Sequence, residues 1–109
     1  MKHEEDRIQY SAVMWLQSEG YYFYSVPNEG AGGNRVRMAI LISLGLRKGA
    51  ADLVVLLSGG RSVYFEFKSA IGTQKPGQVL FQKKLEALGH EYHLVRTLEE
   101  VQAILKDRG

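Results

Sequence analysis

The stretch "GAADLVVLLSGGRSVYFEFK", residues 49–68, decides the fold. It holds two β-prone apolar runs, residues 53–57 and 62–67, on either side of Gly59-Gly60, and so predicts a β-hairpin. A hairpin this apolar belongs at the centre of a small protein. Yet it carries Asp52 at the mouth of its first strand and Glu66 and Lys68 inside its second. Side chains alternate along a strand, so Tyr64, Glu66 and Lys68 share one face, while Val63, Phe65 and Phe67 take the other and fill a core. The place of Asp52 depends on the turn. A three-residue loop, Ser58 to Gly60, makes facing positions sum to 118 and sets Asp52 opposite Glu66. A two-residue Gly59-Gly60 turn makes the sum 119 and sends the two acids to opposite faces. Both registers remain open at this level.

Outward from the hairpin, the remaining elements follow from periodicity and punctuation. Residues 4–19 are helical, with Ile8, Ala12, Trp15 and Leu16 recurring at spacings of three and four, and Gly20 ends the run. "YYFYSV" (residues 21–26) is an aromatic strand stopped by Pro27. "PNEGAGGNR" (residues 27–35), with four glycines, predicts a mobile loop, and residues 36–46 a short, mostly apolar helix. After the hairpin, Pro76 opens a helix to about residue 88, closed by Gly89. "EYHLVR" (residues 91–96) is a fourth strand, and Thr97 with Glu100 forms a capping box for a last helix whose inner face carries Leu98, Val101, Ile104 and Leu105. The expected order is α-β-α-β-β-α-β-α: an α/β fold with a mixed sheet flanked by helices.

The chain's 109 residues, 45% hydrophobic and 24% charged, fit one domain spanning residues 1–109 with one core. A net charge of +2 permits nucleic acid as a partner without arguing for it. With no cysteine there are no disulfides, thiolate zinc sites or cysteine nucleophiles. The charged start "MKHEEDRIQY" lacks the apolar core of a signal peptide, and no apolar run reaches membrane-spanning length. The expectation is a soluble, cytoplasmic protein with no membrane partner.

Two carboxylates brought together in a buried strand pair repel, and a divalent cation resolves the conflict. Hard Mg²⁺ prefers carboxylate oxygens, activates water and stabilises charge on a phosphate oxygen. Lys68, one pleat further along the face of Glu66, is placed to hold the attacking water or neutralise developing charge. That is the chemistry of phosphodiester hydrolysis. For an isolated E-x-K strand a solvated face is the commoner outcome, so polar residues on other inward faces matter. Gln78 heads a helical stripe with Phe81, Leu85 and Leu88, though an amide there also caps its own helix. Glu5 falls within about 20° of Ala12 and Leu16 on the first helix, though an acid in a first turn also suits the helix dipole. Glu4 lies near the direction of Trp15, so periodicity separates the two acids poorly.

Together, E-x-x-I-Q (Glu5, Ile8, Gln9), G-x-x-D-L (Gly49, Asp52, Leu53), E-x-K (Glu66, Lys68) and Q-x-x-F (Gln78, Phe81) resemble the virus-type replication-repair nuclease (VRR-NUC) domain of the PD-(D/E)XK nuclease superfamily. The resemblance spans nearly the whole chain. It implies that Asp52 and Glu66 hold Mg²⁺ (with Mn²⁺ a substitute), and that the peptide carbonyl of Phe67 is a further ligand. It implies too that Glu5 completes or supports the metal site, Lys68 is the catalytic lysine and Gln78 assists near the scissile phosphate. Ala51 stands where the family often has proline, and Phe67 where a smaller β-branched residue is usual; neither change removes a ligand. Members of this small size resemble phage-type enzymes that act as homodimers on branched DNA, including four-way (Holliday) junctions. A two-fold dimer supplies the two sites that paired cuts require.

Candidate phosphate contacts are Arg35 and Lys75 first, in loops near the proposed site, then Arg37 and Lys48; recognition by shape and backbone is expected. The leading expectation is a Mg²⁺-dependent endonuclease for branched or structured DNA. The alternatives are a catalytically inactive DNA-binding module of the same fold, and a nuclease for other DNA or RNA substrates. His90 and His93, three apart on a strand, point to opposite faces and do not share a metal. "SGGRS" lacks the GK[ST] of a P-loop, and Ser62 has no histidine nearby in sequence to activate it.

Overall fold

The computed structural model describes residues 2–27 and 33–108, with the side chains of Lys2 and Arg108 left aside. Four helices and four strands follow the expected order: α1 (Lys2–Ser18), β1 (Tyr22–Ser25), α2 (Arg35–Ser43), β2 (Leu53–Leu57), β3 (Arg61–Phe67), α3 (Pro76–Ala87), β4 (Glu91–Val95) and α4 (Leu98–Arg108). Most of the stretch expected to be a mobile loop, residues 28–32, lies outside the described residues. Just beyond it, the Asn34 side chain accepts the Arg37 N–H at 3.0 Å and so fixes the start of α2.

The strands form one sheet in the order β1-β2-β3-β4. The first two pairings are antiparallel and β3–β4 is parallel, so a crossover helix must return the chain, and α3 does so. The hairpin takes the three-residue register. A single 3₁₀ turn, Ser58–Gly60, joins β2 to β3, with Gly59 and Gly60 at φ of 78° and 75°, and Leu53 then pairs with Phe65 and Leu57 with Arg61. That register puts Asp52 on the face of Glu66. Just before β2 takes up the ladder, the Asp52 N–H donates to the Phe65 carbonyl at 2.9 Å.

Sheet alternation then segregates two environments. One face presents Leu53, Val55, Val63, Phe65, Phe67 and Val95 to Ala12 and Leu16 of α1 and to Val101 and Leu105 of α4, all buried. Ile8, Trp15, Leu98 and Ile104 pack around this core, as their helical spacing predicts. Burial of each large apolar side chain there contributes about 1.5–3 kcal/mol before chain entropy is set against it. On the other face, α3 crosses β4, where Phe81 meets the Tyr92 ring at 6.3 Å. The α3 stripe expected to face inward ends at Leu85: Leu88, in the C-cap, is exposed. At the last turn, where the helix closes, the backbone rather than the side chain satisfies the geometry.

Gly49 fixes how α3 meets the sheet. It sits at φ 87°, and a Cβ there would lie 2.5 Å from the Gly77 carbonyl carbon and 2.8 Å from the Gln78 nitrogen. The start of α3 therefore rests directly on the segment that leads into Asp52. Only glycine permits so close an approach.

Candidate active site

Three groups that the hairpin carries converge on the face beneath α3. Glu66 is 0% and Lys68 5% exposed, and Asp52 is half-buried beside them. The Asp52 carboxylate accepts the Phe67 N–H at 2.8 Å, which anchors it at the end of β3. The Phe67 side chain fills the core on the opposite face, which explains how a large aromatic is tolerated there: only its backbone belongs to the site. Lys68 Nζ lies 3.5 Å from Glu66 Oε2. Glu66 Oε1 accepts the Tyr92 hydroxyl, whereas Oε2 is buried and accepts no hydrogen bond.

Electrostatics mark the same place. Burial pushes the Asp52 carboxyl from its ordinary 3.8 up to about 6; the Phe67 N–H opposes that rise, Glu66 and Glu5 add to it, and Lys68 works against it. Burial, followed by the hydrogen bond to Glu66, also drives the Tyr92 hydroxyl pKa strongly upward, so it remains protonated and donates. Excess negative charge in a dry site, with one carboxylate oxygen that accepts no hydrogen bond, is the environment a cation relieves. Among the described residues no three His, Asp or Glu side chains gather into a ready-made metal cage. Mg²⁺ does not need one, since it is commonly held by one or two carboxylates and keeps several waters. The residues present fit a hard divalent ion.

Glu5 acts on Asp52 electrostatically, and its Oε2 lies by the loop after β3: a Cβ on Gly72 would sit 3.4 Å from it and 3.0 Å from Ser69 Oγ. Between the two acids that periodicity left unresolved, Glu5 is the one that acts on Asp52. Gln78 behaves locally: its Oε1 accepts the Lys75 N–H at 2.8 Å. The basic residues are exposed. Arg35 and Lys48 line one hollow of about 350 Å³ with Gly33, Asn34, Met38, Ala39 and Ile42. The backbone of Lys48 abuts Gly77, and Lys75 immediately precedes α3, so both flank the segment that leads to Asp52. Arg37 is exposed on α2 and does not line that hollow. His90 and His93 do lie on opposite faces, His90 edge-on to Tyr64 and His93 stacked on Phe65.

Three contributors escaped the sequence reading. Tyr92 looks like an ordinary strand aromatic, and only the β3–β4 pairing, with Tyr64 beside Tyr92, brings its hydroxyl to Glu66. Gln74 reaches Tyr92 from the loop before α3. Arg96 Nη1 donates to the carbonyls of Ser69 and Gly72 at 2.6 and 2.7 Å, and so braces the loop that Glu5 approaches. No local pattern announces any of these, because each contact crosses more than 15 residues of chain.

No family model and no curated protein matches the sequence. Solved structures do. One described as a VRR_NUC domain superposes with a TM-score of 0.68 at 21% identity, over 94% of this chain and 95% of that one. Another, a VRR_NUC domain protein, gives a TM-score of 0.77 at 17% identity over 95% of this chain and 86% of that one. At this level of identity the likeness speaks of architecture, and it covers nearly the whole of this chain. The chain has the VRR_NUC fold.

Proposed function

We propose that the chain is a metal-dependent endonuclease that hydrolyses phosphodiester bonds in branched or structured DNA. The observation that carries this reading is the buried Asp52–Glu66–Lys68 group, in which Glu66 Oε2 has no hydrogen-bond partner. The VRR_NUC fold supports the coarser part, a nuclease-type domain.

Asp52 and Glu66 would hold Mg²⁺, for which Mn²⁺ would substitute, with the Phe67 carbonyl as a further ligand and Glu5 supporting from α1. When bound, the cation supplies Lewis acidity toward a phosphate oxygen and toward the attacking water. Lys68 keeps its ammonium in the site through Glu66, where it neutralises negative charge that builds on the phosphate. With its oxygen held by the Lys75 N–H, Gln78 would meet a phosphate through its Nε2. Arg35, Lys48 and Lys75 lead the DNA backbone toward the hairpin, and Arg37 adds charge from the flank. Burial excludes bulk water around Lys68 and Glu66, which strengthens each of these interactions.

A homodimer belongs to the same reading. Paired cuts at a junction need two sites, and α2 buries none of its residues while exposing Val36, Ile40 and Ile42, with Leu44 exposed at its C-cap. No described helix is long and apolar enough to cross a membrane.

The test is cleavage of a four-way junction and of linear duplex in Mg²⁺, by wild type and by Asp52→Asn and Lys68→Ala. Mg²⁺-dependent cutting of the junction, lost in both variants, is expected. Cutting that survives both substitutions would place the chemistry elsewhere, and no metal-dependent cutting of any substrate would leave a binding module.

A further inference from the structure

A line of side chains runs from the surface of α3 to the buried Glu66. Gln82 Nε2 donates to Glu86 Oε2 at 3.1 Å, and Gln74 Nε2 donates to Gln82 Oε1 at 2.9 Å. The same Gln74 nitrogen lies 3.2 Å from the Tyr92 hydroxyl, and that hydroxyl donates to Glu66 Oε1. Four parts of the fold contribute to it: α3, the loop before it, β4, and β3 with Glu66.

Its direction is set by chemistry. Ionised Glu86 only accepts, so the Gln82 amide must turn its NH₂ outward and its oxygen inward. That oxygen then requires the NH₂ of Gln74. With one N–H on Gln82, the other is directed at the Tyr92 oxygen. A tyrosine hydroxyl has one proton, and with a donor already on its oxygen it can only give that proton to Glu66. Were Gln74 reversed, its oxygen would meet that of Gln82 and would draw the tyrosine proton away from Glu66. The chain therefore leaves Oε1 occupied and Oε2 the one Glu66 oxygen without a donor, beside Lys68. Oε2 is thereby left with the Lys68 ammonium 3.5 Å away and no hydrogen bond of its own, so it stays open to a further charge-bearing partner.

We infer that Tyr92 and Gln74 are positioning residues that lock Glu66 with Oε2 presented to the divalent cation. This rests on the metal site proposed above. Tyr92 is 6% exposed and its ring already packs on Phe81, so Tyr92→Phe removes the hydroxyl and keeps the packing.

The experiment is Mn²⁺ binding without DNA, read by electron paramagnetic resonance of the free ion. It compares wild type, Tyr92→Phe, Gln74→Leu and the double variant, with thermal unfolding of each. Outer partners of metal ligands typically govern affinity by about 10–100-fold. Tyr92→Phe is expected to weaken Mn²⁺ by about tenfold or more, and Gln74→Leu by several-fold. Because Gln74 acts through Tyr92, the double variant should bind no more weakly than Tyr92→Phe alone, a non-additivity that general loosening of the fold would not give. Wild-type binding with both single variants within about twofold of it would overturn this inference while leaving the metal site intact. Absence of Mn²⁺ binding by the wild type would remove the metal site and this inference with it.

Discussion

Replacing Asp52 with asparagine should make the metal-free protein more stable at neutral pH. Burial and the neighbouring acids hold the folded Asp52 carboxyl at about 6, against 3.8 in the ordinary state. Between those values the folded chain binds more protons than the unfolded one, so this group's contribution falls as pH rises through the window and levels off above about 6. At about 1.36 kcal/mol per pH unit, the full loss is about 3 kcal/mol. Asparagine has no proton to release, and its side-chain oxygen can still accept the Phe67 N–H that Asp52 accepts at 2.8 Å. The folded value of about 6 already includes that hydrogen bond, so nothing further is subtracted for it. Asp52→Asn should therefore gain about 3 kcal/mol at pH 7.5, and that advantage should vanish near pH 4, where folded wild type also carries the proton. Urea unfolding of both proteins in EDTA at pH 4, 5.5 and 7.5 measures the difference, and charges elsewhere cancel in the comparison. Added Mg²⁺ should stabilise wild type and close the gap. An Asp52→Asn protein that is less stable than wild type at pH 7.5, or a difference flat across pH, would refute the reasoning.

Two further outcomes follow from the same geometry. Gly49→Ala places a Cβ 2.5 Å from the Gly77 backbone at φ 87°, so it should destabilise by at least about 2 kcal/mol and speed hydrogen exchange at the start of α3; an unchanged urea midpoint would mean that the contact relaxes freely. Arg35→Gln with Lys75→Gln should weaken junction binding in Ca²⁺ equally for all sequences and reduce the steepness of the log–log salt dependence by about 2; an unaltered slope would remove both from the phosphate contacts.

How far the sequence carries can be seen at particular residues. Val63, Phe65 and Phe67 alternate with Tyr64, Glu66 and Lys68, and that alternation alone separates the core from the site. The register of Asp52 stayed open because adjacent turn lengths differ by one residue and invert its face, and a turn with Gly59 and Gly60 both left-handed selects the favourable one. The Gln78 stripe correctly puts the residue at the head of α3, but a backbone donor three residues away claims its oxygen. Periodicity gives direction, not partners. Tyr92, Gln74 and Arg96 were out of reach for a related reason: their roles depend on the parallel β3–β4 pairing and on a crossover loop, which no short window encodes. The exposure of α2 was also illegible, since an apolar helix nine residues long reads the same whether or not it is covered.

The proposed chemistry depends on a cation that joins Asp52 to Glu66. Soaking crystals of the protein in Mn²⁺ and collecting at a wavelength where manganese scatters anomalously tests it without a substrate. The predicted result is a peak at roughly 2 Å from Glu66 Oε2 and from an Asp52 carboxylate oxygen. A map at saturating Mn²⁺ with no peak between those two carboxylates would contradict it.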